Sequence, residues 1–518
     1  MRPGGWQWRA AEVAVALGAA ALFPLLCLNI RVDPMKRIGQ VSGMASMGLR
    51  YTLCALVLIA ITVVAARARR GAGFEATSRL VFAAIAGLAT GVIAGGILVS
   101  LHGTPFGLNG LNGDAGDLVK WTDAVRAGKE PPPTYPPLAM YLLAGYADVL
   151  DISSAHAMKH MQVIGTALLG PATYLSWRLV LRPGWALGVG VIAALPLIQP
   201  SPYKPYANVV LMMLVPIVIA FLRVLRRAGD ETPIAMARLG VVYGAGFGIL
   251  CLIYSGWFQW SAPGVLVAAL ILFPWRGAAR NRALVLCAAA AVMFALVAGR
   301  YTYAVLTDPV MIADDNYIYF DVGVEPAYVA MWRGDLPGNT GPWPPHGELG
   351  GVGLFTIVMV AGTGLAIALG RGRTAVIAVA SMLAGCWLLR FWYAHFLWET
   401  RLVQYYPRTT AQISYCLLVL CGLAVFYAVE RLSREHPVRT QSGVIGSVCA
   451  LLLLFGFTGS SITDHHMPNG SKPISMGWLA YMSHQFGQGQ AARHATPPRD
   501  WPLEKRAAGW SAPPRTVP

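Results

Sequence analysis

The sequence predicts an all-α polytopic membrane protein, with about thirteen transmembrane helices and interfacial helices in its first long outer loop. Three observations predict it. Hydrophobic residues make up 56% of the 518 positions and charged residues only 12%, against roughly a quarter charged in an average soluble domain. Apolar runs approach the ~20 residues needed to cross hydrocarbon. Short arginine clusters, such as Arg67-Ala68-Arg69-Arg70, separate those runs and read as topology signals.

The runs fall at about 10–30, 48–66, 79–101, 158–181, 186–200, 207–225, 239–256, 262–275, 284–300, 351–370, 375–393, 413–431 and 444–461. Arg2 and Arg9 precede the first; it lacks a small-x-small cleavage site and reads as a retained anchor rather than a signal peptide. Leu138–Leu150 is ambiguous on hydropathy, because it is short, opens with Pro136-Pro137 and ends at Asp148 and Asp151. Charge resolves it. If this stretch crossed, the Arg223–Arg238 and Arg276–Arg282 clusters would fall outside the cell, against the positive-inside tendency. It is therefore expected to lie at the interface, with the N-terminus cytoplasmic, the C-terminus extracytoplasmic and the chain in the plasma membrane.

The organisation that follows is two N-terminal helices over 1–78, a core over 79–461 with outer loops at 102–157, 300–350 and 394–412, and a tail over 462–518. The tail is rich in Pro, Gly and polar residues and has too few large apolar ones to build a core of its own. The net charge of +16 does not point to nucleic acid, because no basic face interleaves with aromatics. The eight cysteines all lie in apolar runs with no CxxC pair, which predicts small buried residues rather than zinc or disulfides. No P-loop, HExxH or Gly-x-Ser-x-Gly occurs. His465-His466 beside Asp464 makes a poor metal site in a coreless tail, and neither metal nor cofactor is expected.

The acids gather in the outer loops. In the first, the Gly/Asn-rich turn Asn109–Gly113 delivers Asp114 to the start of a helix whose Leu118, Trp121, Thr122 and Val125 share a face. Asp114 there suits a helix N-cap or a functional carboxylate favoured by the helix dipole; Asp117 has a weaker claim. In the second loop, Asp314, Asp315 and Trp343 belong to a run of acids alternating with aromatics. Such a run suits sugar hydroxyls and ring faces, or an ordinary solvated loop. In the third, Arg390 lies inside an apolar run, which demands a partner or a wet cavity. With Arg401 and Arg408 it forms a set able to hold a phosphate or structural ion pairs. Lys159, His160 and Lys204 are further outer cations.

One ordered pattern is more specific. An apolar span, Leu80–Leu101, is followed by Asp114 before a helix, then Tyr135-Pro136-Pro137-Leu138 opening a second short helix, then the span Met158–Leu181. This resembles the start of the GT-C glycosyltransferase fold. Asn112-Gly113-Asp114-Ala115-Gly116, Tyr254-Ser255-Gly256-Trp257-Phe258, Met331–Gly338, Gly341–Gly353 and Tyr406-Pro407-Arg408-Thr409-Thr410 resemble segments of actinobacterial galactan 5-O-arabinofuranosyltransferases. The likeness covers about 79–430. The sizeable soluble C-terminal domain of that family is replaced here by the tail, so the likeness does not carry over to acceptor binding.

The resemblance implies a polyprenyl-phosphate sugar donor, specifically arabinofuranose, a cell-wall galactan-type acceptor, and an inverting displacement at the anomeric carbon on the outer face. It implies Asp114 as base, with Asp117 in reserve, Arg390, Arg401, Arg408 and Lys204 on the departing phosphate, and Asp314, Asp315, Trp343 and Tyr135 on the sugars. The bilayer is the expected surroundings and lipid-linked donor and polysaccharide the expected partners. Three other readings stand beside it: a GT-C mannosyltransferase or another lipid-linked-sugar transferase, a transporter or flippase, which predicts acids near the membrane midplane, and a non-catalytic acceptor-binding subunit.

Overall fold

A computed structural model of the chain describes residues 5–68, 72–198, 202–307, 354–400, 405–435, 440–472 and 475–489. These form helices and connecting loops with no strand among the described residues. We label the helices α1 (Gly5–Cys27), α2 (Arg37–Ala68), α3 (Ala72–Ser100), α4 (Gly113–Arg126), α5 (Pro137–Val149), α6 (Ser154–Trp177), α7 (Pro183–Ile198), α8 (Pro205–Arg226), α9 (Pro233–Ile253) and α10 (Gly256–Leu272). They continue with α11 (Gly277–Thr307), α12 (Leu354–Leu369), α13 (Thr374–His395), α14 (Tyr405–Glu435), α15 (Thr440–His466) and α16 (Met476–Gly489).

Nine of the described helices are long and apolar enough to cross a bilayer: α1, α2, α3, α8, α9, α11, α13, α14 and α15. α7, α10 and α12 are shorter apolar helices. Large apolar side chains stand fully outward on these helices, including Leu49 at 63% exposure, Leu296 at 76% and Phe457 at 72%. Such surface is stable against lipid tails and unstable against water, so the protein is a membrane protein. Its eight cysteines are free, and those in the tightly packed interior, such as Cys27, Cys386 and Cys416, are buried.

The centre of the bundle is the antiparallel pair α3 and α6. At one end Glu12 of α1, only 2% exposed, accepts from Arg79 of α3 at 2.6 Å, from Tyr174 of α6 at 2.7 Å and from Arg178, just past α6, at 2.7 Å. At the other end Lys159 of α6 donates to the carbonyls of Leu101 and Thr104 at 2.9 and 2.6 Å. Between them Pro171 lacks the N–H that would bond the Ala167 carbonyl four residues back. The Thr90 hydroxyl donates to that carbonyl at 2.9 Å and accepts from the Gly170 N–H at 2.8 Å. In a medium without water every such carbonyl needs a protein donor. The same repair occurs in α8, where Pro216 frees the Met212 carbonyl and the Tyr415 hydroxyl lies 3.5 Å from it.

The chain thus leaves α3 and re-enters α6 at the same end of the bundle. α4 and α5, 14 and 13 residues long, span only about 20 Å each, short of the ~30 Å hydrocarbon core. Elsewhere α9 and α11 pack closely along Gly240, Gly244 and Gly248. A Cβ on Gly244 would lie 2.3 Å from the Ala290 carbonyl oxygen, so the small side chains set the interhelical distance.

Two expectations are corrected. The span expected at 48–66 begins at Arg37, because Arg50 donates to the Leu26 and Ser46 carbonyls and Gln40 to those of Pro34 and Pro468. The polar residues bond backbone instead of ending the helix. The tail expected to lack a core contributes its first residues to α15, which runs to His466, and folds again as α16. α16 needs no core of its own because Trp478, Leu479, Ala480, Tyr481 and Met482 are buried against other elements.

Glu12 yields the first prediction. Replacing it with Gln leaves Arg79 and Arg178 without their counter-charge in apolar surroundings, a loss of about 3–5 kcal/mol for a broken buried pair. Thermal unfolding of the detergent-solubilised protein, followed by intrinsic fluorescence, is expected to shift down by many degrees for Glu12→Gln. A Lys36→Gln control, at an exposed ion pair with Asp33, is expected to unfold as the wild type does.

Candidate functional site

The loop from Leu101 to Gly113 is shaped by backbone positions that few side chains tolerate. Asn109, Gly110 and Gly113 have φ of 70°, 55° and 53°, the left-handed region where glycine carries no Cβ penalty. At Gly110 the reason is also contact: a Cβ would sit 2.1 Å from the Ser483 hydroxyl and 2.5 Å from the Leu479 carbonyl of α16. α16 clasps this loop. The Leu111 N–H donates to the Ser483 hydroxyl at 2.9 Å, the Asn109 N–H to the Met476 carbonyl at 3.0 Å, and Tyr481 donates to the His102 carbonyl. His484 packs on Phe106 with ring centroids 6.2 Å apart; burial, then the nearby Lys159 charge, lowers its pKa below the usual histidine value. From the other side Gln162 of α6 accepts from the Leu108 N–H at 2.7 Å and donates to the Leu108 carbonyl at 3.2 Å.

So held, the loop delivers Asp114 to the second residue of α4. Asn112, not Asp114, occupies the N-cap position. The Asp114 carboxylate pairs through Oδ2 with the ammonium of Lys204, the residue preceding α8. Its side chain is 44% exposed, while that of Lys204 is 12% exposed, so a half-buried cation faces an acid open to solvent. Asp117, one turn on, is exposed and does not join this pair. α4 buries Ala115, Leu118, Val119 and Thr122 against α5 and α6. Arg126 ties its far end to Asp148 at 2.7 Å and Ser154 donates to Asp123 at 2.5 Å.

Next to the Asp114–Lys204 pair is a cluster of aromatics. Tyr206, two residues past Lys204, shares a 2.7 Å hydrogen bond between hydroxyls with Tyr135, and Tyr135 packs on Trp121 at 4.7 Å. Tyr254 packs on Tyr206 at 6.4 Å and on Trp257 at 5.3 Å, and Trp257 donates to the Ala207 carbonyl at 2.6 Å. The Tyr254–Phe258 motif therefore breaks the chain between α9 and α10 and braces the start of α8.

The two tyrosines separate two cavities of different character. Tyr206 lines an apolar groove of about 430 Å³ between α1, α5, α6 and α8, walled by Leu17, Leu143, Ile164, Leu168 and Val209. A second apolar groove of about 400 Å³ adjoins it along Leu17, Tyr146, Ile164 and Leu168, and His160 lines it. His160 shares a 3.1 Å hydrogen bond with the Tyr146 hydroxyl and packs on His156. On the other side Tyr135 lines a cleft of about 280 Å³ with Glu130, Tyr141, Arg300 and Tyr301. The Tyr301 hydroxyl shares a 2.7 Å hydrogen bond with Ser255.

The remaining expected residues are dispersed. Arg390, in α13, is fully buried and donates from Nη1 to the Thr409 and Thr410 hydroxyls at 2.9 and 3.1 Å. That arginine braces the start of α14 rather than lining the tyrosine cluster. Lys204, expected on a phosphate, is instead the partner of Asp114. Asp314, Asp315, Trp343 and Arg401 lie outside the described residues, as does the side chain of Arg408. No cluster of three or more His, Cys, Asp or Glu suited to a metal occurs among the described residues. The Tyr135–Tyr206 bond, the His160–Tyr146 bond and the α16 clasp were not anticipated. The Tyr-Pro-Pro motif and the aromatics Trp478 and Tyr481 are the sequence signals from which the first and third could have been found. The chain matches no known family and no curated protein.

The clasp is tested at Gly110. Gly110→Ala adds both a left-handed strain of about 1 kcal/mol and a clash with α16, whereas Gly103→Ala, at φ 90° with open space around it, adds the strain alone. Hydrogen exchange across residues 102–112 is expected to accelerate clearly in Gly110→Ala and only slightly in Gly103→Ala.

Proposed function

We propose that the protein is a membrane glycosyltransferase that moves a sugar, arabinofuranose in our reading, from a polyprenyl-phosphate donor to a cell-wall galactan-type acceptor. The observation that carries the proposal is a solvent-accessible carboxylate, Asp114, ion-paired to Lys204 beside a tyrosine pair that divides an apolar groove from a polar aromatic cleft. The groove suits a lipid tail. The cleft suits a carbohydrate, with tyrosine faces to stack on a ring and Glu130 and Arg300 to bond hydroxyls. The resemblance to the GT-C fold and to the arabinofuranosyltransferases supports the same assignment, with α4 and α5 as interfacial helices and Asp114 on the extracytoplasmic side of the plasma membrane.

The chemistry is a single displacement. The acceptor hydroxyl oxygen attacks the anomeric carbon, the carbon–oxygen bond to phosphate breaks, and its electron pair leaves with the lipid phosphate. That leaving group is a weak base and needs no general acid. The hydroxyl proton goes to Asp114, whose Oδ1 is not engaged in the Lys204 pair; Lys204 keeps the carboxylate oriented. His160, at the edge of the second groove, is placed to donate to the donor phosphate. Arg401 and Arg408 are proposed for the same phosphate, and Asp314, Asp315 and Trp343 for the sugars. The transporter reading draws on intramembrane acids, and the buried acid among the described residues, Glu12, is matched by two arginines and a tyrosine.

The test is transfer by the purified full-length chain from a panel of labelled polyprenyl-phosphate sugars to galactan oligosaccharides. Arabinofuranose transfer is expected, with a loss on the order of 10²–10⁴ for Asp114→Asn. A preference for the mannose donor would reassign the sugar while keeping the site. Equal transfer by wild type and a folded Asp114→Asn protein would sink the assignment of the base. A second measurement addresses His160: His160→Ala is expected to raise KM for the donor several-fold while leaving acceptor KM unchanged.

A further inference from the structure

α8 starts beside Asp114 and ends at Arg223, Arg226 and Arg227. Its 22 residues carry the chain about 33 Å, so these arginines mark the end of the bundle opposite the candidate site. They line a cavity of about 660 Å³, the largest of those described above, closed by Leu181, by Gly372 and Arg373 before α13, and by Tyr427 and Glu430 of α14. Four arginines there face one glutamate. Helix-end arginines are common on membrane proteins and by themselves need no ligand. Here two separate chain segments, the end of α8 and the turn before α13, bring theirs around one concave space.

The donors are also incompletely used. Arg223, half-buried, donates Nη1 to the Val180 carbonyl at 3.0 Å, and Arg226 donates Nη1 to the Gly372 carbonyl at 2.6 Å. These two bonds fix the guanidinium groups to the cavity walls and leave most of their five N–H donors each for another acceptor. Arg373 stands over the Tyr427 ring at 5.7 Å and 3.9 Å from Glu430, a partly exposed pair of little net stability. Arg227 is exposed beside them. Planar forks of donors held on a cavity wall suit the oxygens of a phosphate.

We propose that this cavity binds a phosphate-bearing anion, at a site separate from the transferase site and independent of that assignment. The position at a helix-end boundary between apolar surface and water suits a phospholipid headgroup, and a soluble phosphate shares the same chemistry. The experiment uses the full-length chain in detergent, incubated with equal amounts of phosphatidylglycerol, cardiolipin and phosphatidylcholine and read by native mass spectrometry. Wild type is expected to retain the anionic lipids over phosphatidylcholine. Arg227→Gln/Arg373→Gln is expected to retain on the order of tenfold less, and Arg31→Gln/Arg37→Gln, which removes equal charge at the other end, as much as wild type. Inorganic pyrophosphate separates the sources: bound lipid that survives it marks a headgroup site, and displacement with thermal stabilisation by pyrophosphate alone marks a soluble-anion site. Should the double variant not elute as a single species, the two single substitutions are measured, and a several-fold loss from either supports the site. Equal retention by the cavity variants and wild type, or equal loss in the charge-matched control, overturns the proposal.

Discussion

A carboxylate placed among apolar helices is tolerable only when its charge is matched and its oxygens are bonded. Glu12 meets both conditions through groups that belong to two other helices, and that requirement determines how α1, α3 and α6 pack. Arg79 sits near the beginning of α3 and Arg178 just past the end of α6, so a single carboxylate holds those two termini level. Lys159, bonded to two carbonyls beyond the end of α3, does the same at the far side, and Thr90 closes the gap left by Pro171 halfway along. With α3 and α6 pinned at three depths, the segment between them has to begin and finish at one face. α4, α5 and the Asp114 carboxylate owe their position to that constraint.

The site itself is a meeting of residues far apart in the chain. Asp114 comes from the first loop, Lys204 and Tyr206 from the start of α8, Tyr135 from the turn before α5, and Tyr254 from the break between α9 and α10. What brings them together is that each lies at the mouth of a helix, where the backbone leaves the apolar layer and a secluded polar group finds a partner, Lys204 in Asp114 and Tyr206 in Tyr135. A tyrosine suits such a place because its ring packs on apolar neighbours while its hydroxyl bonds across the boundary. The hydroxyl pair of Tyr135 and Tyr206 joins one residue of the apolar groove to one of the polar cleft.

Much of this was legible in the sequence, for a reason specific to membrane proteins. Crossing segments must be uniformly apolar, so the all-α membrane character and the location of the nine long helices could be read from runs of Leu, Val, Ala and Ile. Asp114 stood out because a Gly/Asn turn precedes it and an amphipathic stretch follows. The pairing of Asp114 with Lys204 was not legible, because nothing local to Lys204 distinguishes it from a topology charge; only the packing of α8 and α4 on α6 does. Helix α2 extends beyond the apolar run at 48–66 because hydropathy does not register that Arg50 and Gln40 satisfy backbone carbonyls. α16 was missed because its composition was judged by whether it could make a core of its own, and it borrows one.

That borrowed core has a consequence for biogenesis. The Asn109–Leu111 backbone is bonded to Met476 and Ser483, partners made more than 360 residues later in the chain. Membrane helices enter the bilayer in order of synthesis, so α3 through α6 are in place while the strap over their loop has not yet been translated. The acid at residue 114 is seated only once Met476 and Ser483 have left the ribosome. A nascent or prematurely terminated chain would therefore carry every helix of the central pair and still hold its first loop open.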